Sequence, residues 1–160
     1  MKISTRGSDP DNGSAPAQET GCRLIGKWPV MPHHTPVQRK KAERVMEFYQ
    51  RVVIENDFEV APQYIGEPYI QHNAKVGNGL DALILFARGL TEKYPGMTYE
   101  FKRVFVDGDY VILHSHVITR PGQRGVAVFD MFRLEGDMLM EHWDVIQNIP
   151  ETTLNGNPMV

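Results

Sequence analysis

Asp130 lies within the run Val126-Ala-Val-Phe-Asp-Met-Phe-Arg133, between Phe129 and Met131 in a segment otherwise suited to a β-core. An unpaired carboxylate in a dry interior costs several kcal/mol, so such a group is paired, shifted in pKa or open to a cavity. A few residues on, Glu141-His142-Trp143-Asp144 repeats the pattern of ionisable groups inside a strand-like run. Upstream, His114 and His116 share one face of Tyr110-Val-Ile-Leu-His-Ser-His-Val-Ile118 by the period-two alternation of a strand. Carboxylates and imidazoles gathered on sheet faces are the parts from which a proton-transfer pocket is built.

Each group also has a plainer reading. Asp130 shares its face with Val126, Val128, Phe132 and Leu134, so it is either a cavity carboxylate or half of an ion pair with Arg133 or Arg103. His114 and His116 line a pocket if their face meets helices and are ordinary polar residues if it meets water. Their His-x-His spacing could hold one metal ion with Asp130 as third ligand, but no further ligand motif accompanies it. His142 either shapes a pocket wall or is a satisfied structural partner of Asp144, and Trp143 is a substrate platform or core filling.

The elements that must position these groups are legible from period and punctuation. Thr35 is an N-cap, Pro36 fits the first helical position and Gln38 completes a capping box. Ala42, Val45, Met46, Tyr49, Val52 and Val53 then recur at helical spacing, predicting a helix that ends near Asn56. Pro62 opens a short second helix to Ile65, Tyr69-Ile-Gln-His-Asn73 reads as extended, and Leu80, Leu83, Ile84, Ala87 and Leu90 define a third helix stopped by Pro95-Gly96. Thereafter the period is two. Strands are expected over Thr98–Val106, Tyr110–Thr119, Val126–Leu134 and Met138–Asn148, with Asp107-Gly108 and Gly136 marking turns. Helices followed by an antiparallel meander predict an α+β domain, with helices packed on one sheet face.

The 160 residues suffice for one domain with a real core. Residues 1–34, rich in Gly, Pro, Ser, Asp and Asn, read as a flexible arm; Leu24, Ile25, Trp28 and Val30 form its only apolar cluster, able to dock on the domain. Residues 35–160 form the domain. A net charge of −3 gives no sign of nucleic acid or an anionic membrane surface as partner. Cys22 is the only cysteine, which rules out an internal disulfide and a cysteine metal cluster. No apolar run approaches membrane-spanning length and the N-terminus lacks a signal-peptide core, so a cytoplasmic protein is expected. There is no glycine-rich nucleotide loop and no Gly-x-Ser-x-Gly elbow.

Tyr69-Ile-Gln-His-Asn73, Val128-Phe-Asp-Met-Phe-Arg133 and Glu141-His-Trp-Asp-Val-Ile-Gln147 together resemble the SnoaL-like polyketide cyclase family, over about Val37 to Val160. Asn155-Gly-Asn157 resembles the tail of small bacterial members, whereas Ala74 stands where many relatives carry proline, and the N-terminal arm departs from the pattern. The resemblance implies a nuclear-transport-factor-like cone: a curved antiparallel sheet, helices over it, a deep pocket between, and a homodimer through the open sheet face. It further implies aldol-type ring closure or a related isomerisation of a small hydrophobic carbonyl compound, without metal or organic cofactor. The acid/base would be Asp130, assisted by His114 or His72, with Asn73, His116, His142 and Trp143 contacting substrate. The same fold also hosts non-catalytic binding modules, for which Asp130 would be only a buried structural partner.

Overall fold

The computed structural model describes residues 21–160. Helix α1 (Pro36–Phe48) starts where the caps require: the Thr35 hydroxyl accepts from the Gln38 amide while the Gln38 side chain accepts from the Thr35 amide. It continues into a wider π-type turn, Tyr49–Ile54, before the chain turns at Asn56 in left-handed conformation. A short 3-10 helix (Phe58–Gln63) and strand β2 (Ile65–Gln71) lead to α2 (Leu80–Lys93), and four long strands follow. These are β3 (Thr98–Asp107), β4 (Tyr110–Ile118), β5 (Val126–Glu135) and β6 (Met138–Asn148).

With Arg23–Leu24 as β1, the strands form one strongly curled sheet in the order β1-β3-β4-β5-β6-β2. The β3–β6 meander is antiparallel, whereas β2 joins β6 in parallel. The arm segment from Gly21 to His34 is not free of the domain. Arg23–Leu24 form β1, paired with Thr98–Tyr99, and Leu24, Trp28 and Met31 pack against the core. The rest of the arm, residues 1–20, lies outside the described residues.

Helices close over the concave face of the sheet because their apolar stripes and the inward strand residues need the same dry space. Phe48 and Tyr49 pack edge-on against Phe132, and Tyr49 also meets Tyr99 and Phe101. Inward residues are Val111, Leu113 and Val117 on β4, and Val128, Asp130, Phe132 and Leu134 on β5. In β3 an irregularity between Phe101 and Arg103 shifts the inward set from Tyr99 and Phe101 to Val104 and Val106. Such bulges bend the sheet, and the curl they add makes room for a cavity.

Two sites on this frame carry testable energetics. Gly125 turns the chain into β5 at φ 80°, and a Cβ there would lie 2.2 Å from the Val117 carbonyl oxygen. Gly125→Ala therefore combines left-handed strain with a backbone clash, and should lower unfolding stability by about 2 kcal/mol or more in denaturant titration. On the outer face His114 is buried, stacked on Phe129 with Nδ1 2.9 Å from Arg103 Nη1. A guanidinium only donates, so His114 accepts through Nδ1 and is a neutral ring. Burial first, then Arg103 and Lys102, lower its pKa. Its contribution to stability is thus complete above the unfolded value of about 6.5 and is lost as pH falls through the lowered folded value. His114→Gln should flatten the fall in melting temperature between neutral and mildly acidic pH; an unchanged slope would count against the assignment.

Candidate active site

A cavity of about 590 Å³ lies between the sheet, the end of α1 and the inner face of α2. Its wall is mostly apolar, with Phe48, Leu83, Phe86, Leu90, Met97 and Val128 among the lining side chains. Polar groups converge at one place, where β5, β6 and the end of β2 lie side by side. Asp130 faces Asp144 across the β5–β6 register, and the parallel pairing sets Gln71 beside His142. Alternation does the rest: Asp130, His142 and Asp144 stand on inward positions, and Tyr69, Gln71 and Asn73 enter the cavity from β2 and the loop after it.

The hydrogen bonds fix most of the proton positions. Gln71 Oε1 accepts from the Asn73 backbone amide at 2.9 Å, which identifies that atom as the oxygen. His142 Nδ1, also 2.9 Å from Gln71 Oε1, must then be a donor. His142 Nε2 lies 3.2 Å from Asp130 Oδ1. One proton sits between these two atoms, on the carboxyl group of a neutral pair or on the ring of an ion pair. The second Asp130 oxygen, Oδ2, is buried with no partner within hydrogen-bond distance. Asn73 Oδ1 accepts from the Lys75 amide, so its Nδ2 donates to Asp144 Oδ2, at 2.5 Å. Among the described residues no lysine or arginine side chain pairs with Asp130 or Asp144, leaving protons and neutral dipoles as the means to balance their charge.

Three tyrosines surround the carboxylate. Burial, followed by the Asp130 charge, raises Tyr49, Tyr69 and Tyr99 well above the ordinary phenol range. All three are therefore neutral O–H donors at any working pH. The Tyr49 hydroxyl lies next to Asp130 and the Tyr99 ring packs 5.3 Å from that of Tyr49, whereas the Tyr69 hydroxyl is buried with no partner.

The residues singled out in the sequence divide between the two faces of the sheet. Asp130, His142 and Asn73 meet in the cavity. His114 and His116 do not: both occupy outward positions on β4, where His114 meets Arg103 and Phe129, and His116 Nε2 donates to the Arg124 carbonyl at 2.7 Å. The His114-His116-Asp130 metal set is therefore not assembled, its members standing on opposite faces. His72 also points outward, stacked on Trp143 at 4.6 Å and 2.8 Å from Glu141 Oε1, so neither His72 nor Trp143 lines the cavity. Arg133 completes that outer cluster through Glu141 and Glu135 instead of pairing with Asp130. Asp130, His142 and Asp144 do bring ligand atoms within 4.8 Å of one another, enough to hold a divalent cation in place of the shared proton.

Sequence reasoning missed Tyr69 and Gln71, although the signal was present. Both alternate with His72 in Tyr69-Ile-Gln-His-Asn73, so any reading that puts Asn73 in the pocket also puts Gln71 and Tyr69 there and turns His72 away. Tyr49 and Tyr99 read only as core, because nothing local distinguishes a packing tyrosine from one whose hydroxyl meets a carboxylate.

Comparison with known proteins agrees with this geometry. A candidate polyketide cyclase from Bacillus cereus ATCC 10987 superposes with a TM-score of 0.62 at 16% identity, over 81% of this chain and 86% of that one. A candidate SnoaL-like polyketide cyclase from Jannaschia sp. CCS1 gives 0.60 at 17% identity, over 71% and 90%. An NTF2-like protein of unknown function from Mesorhizobium loti gives 0.56 at 18% identity, over 72% and 98%. At such identities the likeness is one of fold. No curated protein matches the sequence significantly. The SnoaL-like domain profile matches residues 43–142, a span that runs from α1 to His142 itself, and the chain belongs to the SnoaL-like domain family.

Proposed function

We propose that this protein is an acid/base enzyme acting on an enolisable carbonyl compound, an aldol-type cyclase or a related isomerase, that needs no organic cofactor. The observation that carries the reading is the Asp130–His142 pair: one carboxylate oxygen engaged by the ring at 3.2 Å, the other buried without a partner at the cavity wall. A free carboxylate oxygen in a mostly apolar cavity is placed to take a proton from an α-carbon. His142, held in one tautomer by Gln71, offers the adjacent position for that proton or its return. In the cyclase case Asp130 removes the α-proton and the C–H electron pair forms the enolate. The enolate carbon then bonds to a second carbonyl carbon of the same molecule, whose oxygen takes the proton back. The cavity is of the size and lining that enclose a drug-sized apolar molecule. The structural neighbours described as candidate polyketide cyclases support a substrate of that type. In the competing reading the same pocket only binds such a compound.

Exchange of α-protons separates the readings without knowledge of the natural substrate. Wild-type protein with 1-tetralone in D2O should accelerate α-deuteration, followed by NMR, and Asp130→Asn should reduce that rate by about 100-fold or more while leaving the melting temperature near wild type. Unaltered exchange in Asp130→Asn would sink the assignment. No exchange with any ketone that binds would favour a binding module. A wild-type rate abolished by EDTA would transfer the work to an ion held by Asp130, His142 and Asp144.

The reading includes a homodimer. Phe105, Tyr110, Phe129 and Val145 are exposed on the outer sheet face, an apolar surface of the kind that marks an interface. Light scattering should give about twice the chain mass, and Phe129→Lys should shift it toward the monomer.

A further inference from the structure

Two buried polar atoms of the cavity lack partners, and their chemistry is complementary. Asp130 Oδ2 is an acceptor and Tyr69 Oη carries a donor proton. Asp130 is 2% exposed and Tyr69 1%, yet both side chains line the cavity. An unsatisfied buried hydroxyl is destabilising, and folded proteins leave few of them. Phenylalanine would fill the same space on β2 without that cost. Tyr49 and Tyr99 differ, since neither hydroxyl is a buried group left without a partner. Among these three, only the Tyr69 hydroxyl is both buried and without a partner.

We propose that the Tyr69 hydroxyl donates its hydrogen bond to the carbonyl oxygen of the substrate, while Asp130 Oδ2 takes the proton from the neighbouring carbon. This rests on the acid/base reading of Asp130 and names the group that receives the charge. As the α C–H bond breaks, its electron pair becomes the new C=C bond and the C=O π pair moves onto oxygen. The proton goes to Asp130. The enolate oxygen carries the negative charge and stays hydrogen-bonded to Tyr69, whose own proton remains in place. A bond that strengthens as charge develops lowers the barrier, and the strengthening is largest in a dry site where the donor is already oriented. The arrangement also selects substrates. The carbonyl oxygen and the acidic C–H must lie on the same edge of the molecule, because Tyr69 and Asp130 border the same polar end of the cavity.

The test uses 4-nitrophenol as an enolate mimic, its ionised form read by the phenolate absorbance band. After proton abstraction Asp130 is neutral, so Asp130→Asn reproduces that state and should bind the phenolate more tightly than wild type. Adding Tyr69→Phe to Asp130→Asn should weaken phenolate binding by about tenfold, equivalent to about 1.4 kcal/mol. Tyr69→Phe alone should leave the melting temperature unchanged or raised, since the lost hydroxyl has no protein partner. Unchanged phenolate affinity in the double variant would overturn the role of Tyr69 while leaving that of Asp130 intact. A marked loss of thermal stability in Tyr69→Phe would also overturn it, because the hydroxyl would then serve the fold. If Asp130→Asn fails to tighten phenolate binding, the acid/base reading falls and the Tyr69 proposal falls with it.

Discussion

Burial of Asp130 is the constraint around which the site is arranged. A carboxylate this enclosed cannot be left without compensation, and the chain supplies no lysine or arginine to it among the described residues. Compensation comes from His142, from the neutral phenol of Tyr49, and from a proton that can reside on either member of the pair. That arrangement is costly to a purely structural core, where two apolar residues of similar shape would be neutral or better. The same arrangement suits a site that must move a proton.

Around that pair the fold acts as a set of rulers. The antiparallel β5–β6 register puts Asp130 beside Asp144, and the parallel return of β2 along β6 brings Gln71 to His142 and Asn73 to Asp144. Gln71 reads out the His142 tautomer, and its oxygen is itself fixed by the Asn73 backbone amide. Each polar group is thus oriented by another that does not touch the cavity's apolar end. The outer face carries a second, unrelated network in which Glu141 joins Arg133 and His72, its carboxyl held below the usual range by those two partners. One strand, β6, serves both networks through alternate residues.

The alternation of strands explains how much of the site could be read in advance. Asp130 and His142 are legible because each is an ionisable residue on an otherwise apolar inward face, and Asn73 follows from the family motif. His114 misleads because Val111, Leu113 and Val117 make the opposite face of its strand equally apolar. A strand covered on both sides gives no local sign of which side is the cavity. The bulge at Phe101–Arg103 adds to this, since a single extra residue exchanges inward for outward along β3.

By itself the sequence determined the order of elements, the capped start of α1 at Thr35, the change of period after Pro95 and the α+β class. These follow from local propensity and periodicity, which act over a few residues. The tertiary structure alone decided that β2 returns parallel to β6, that Gln71 and Tyr69 join Asp130 while His72, His114, His116 and Trp143 turn away, and that the segment from Gly21 to His34 contributes a strand. Pairing between residues some 70 positions apart depends on which faces pack together and how strongly the sheet curls. Those are properties of the assembled core, and no window of sequence contains them.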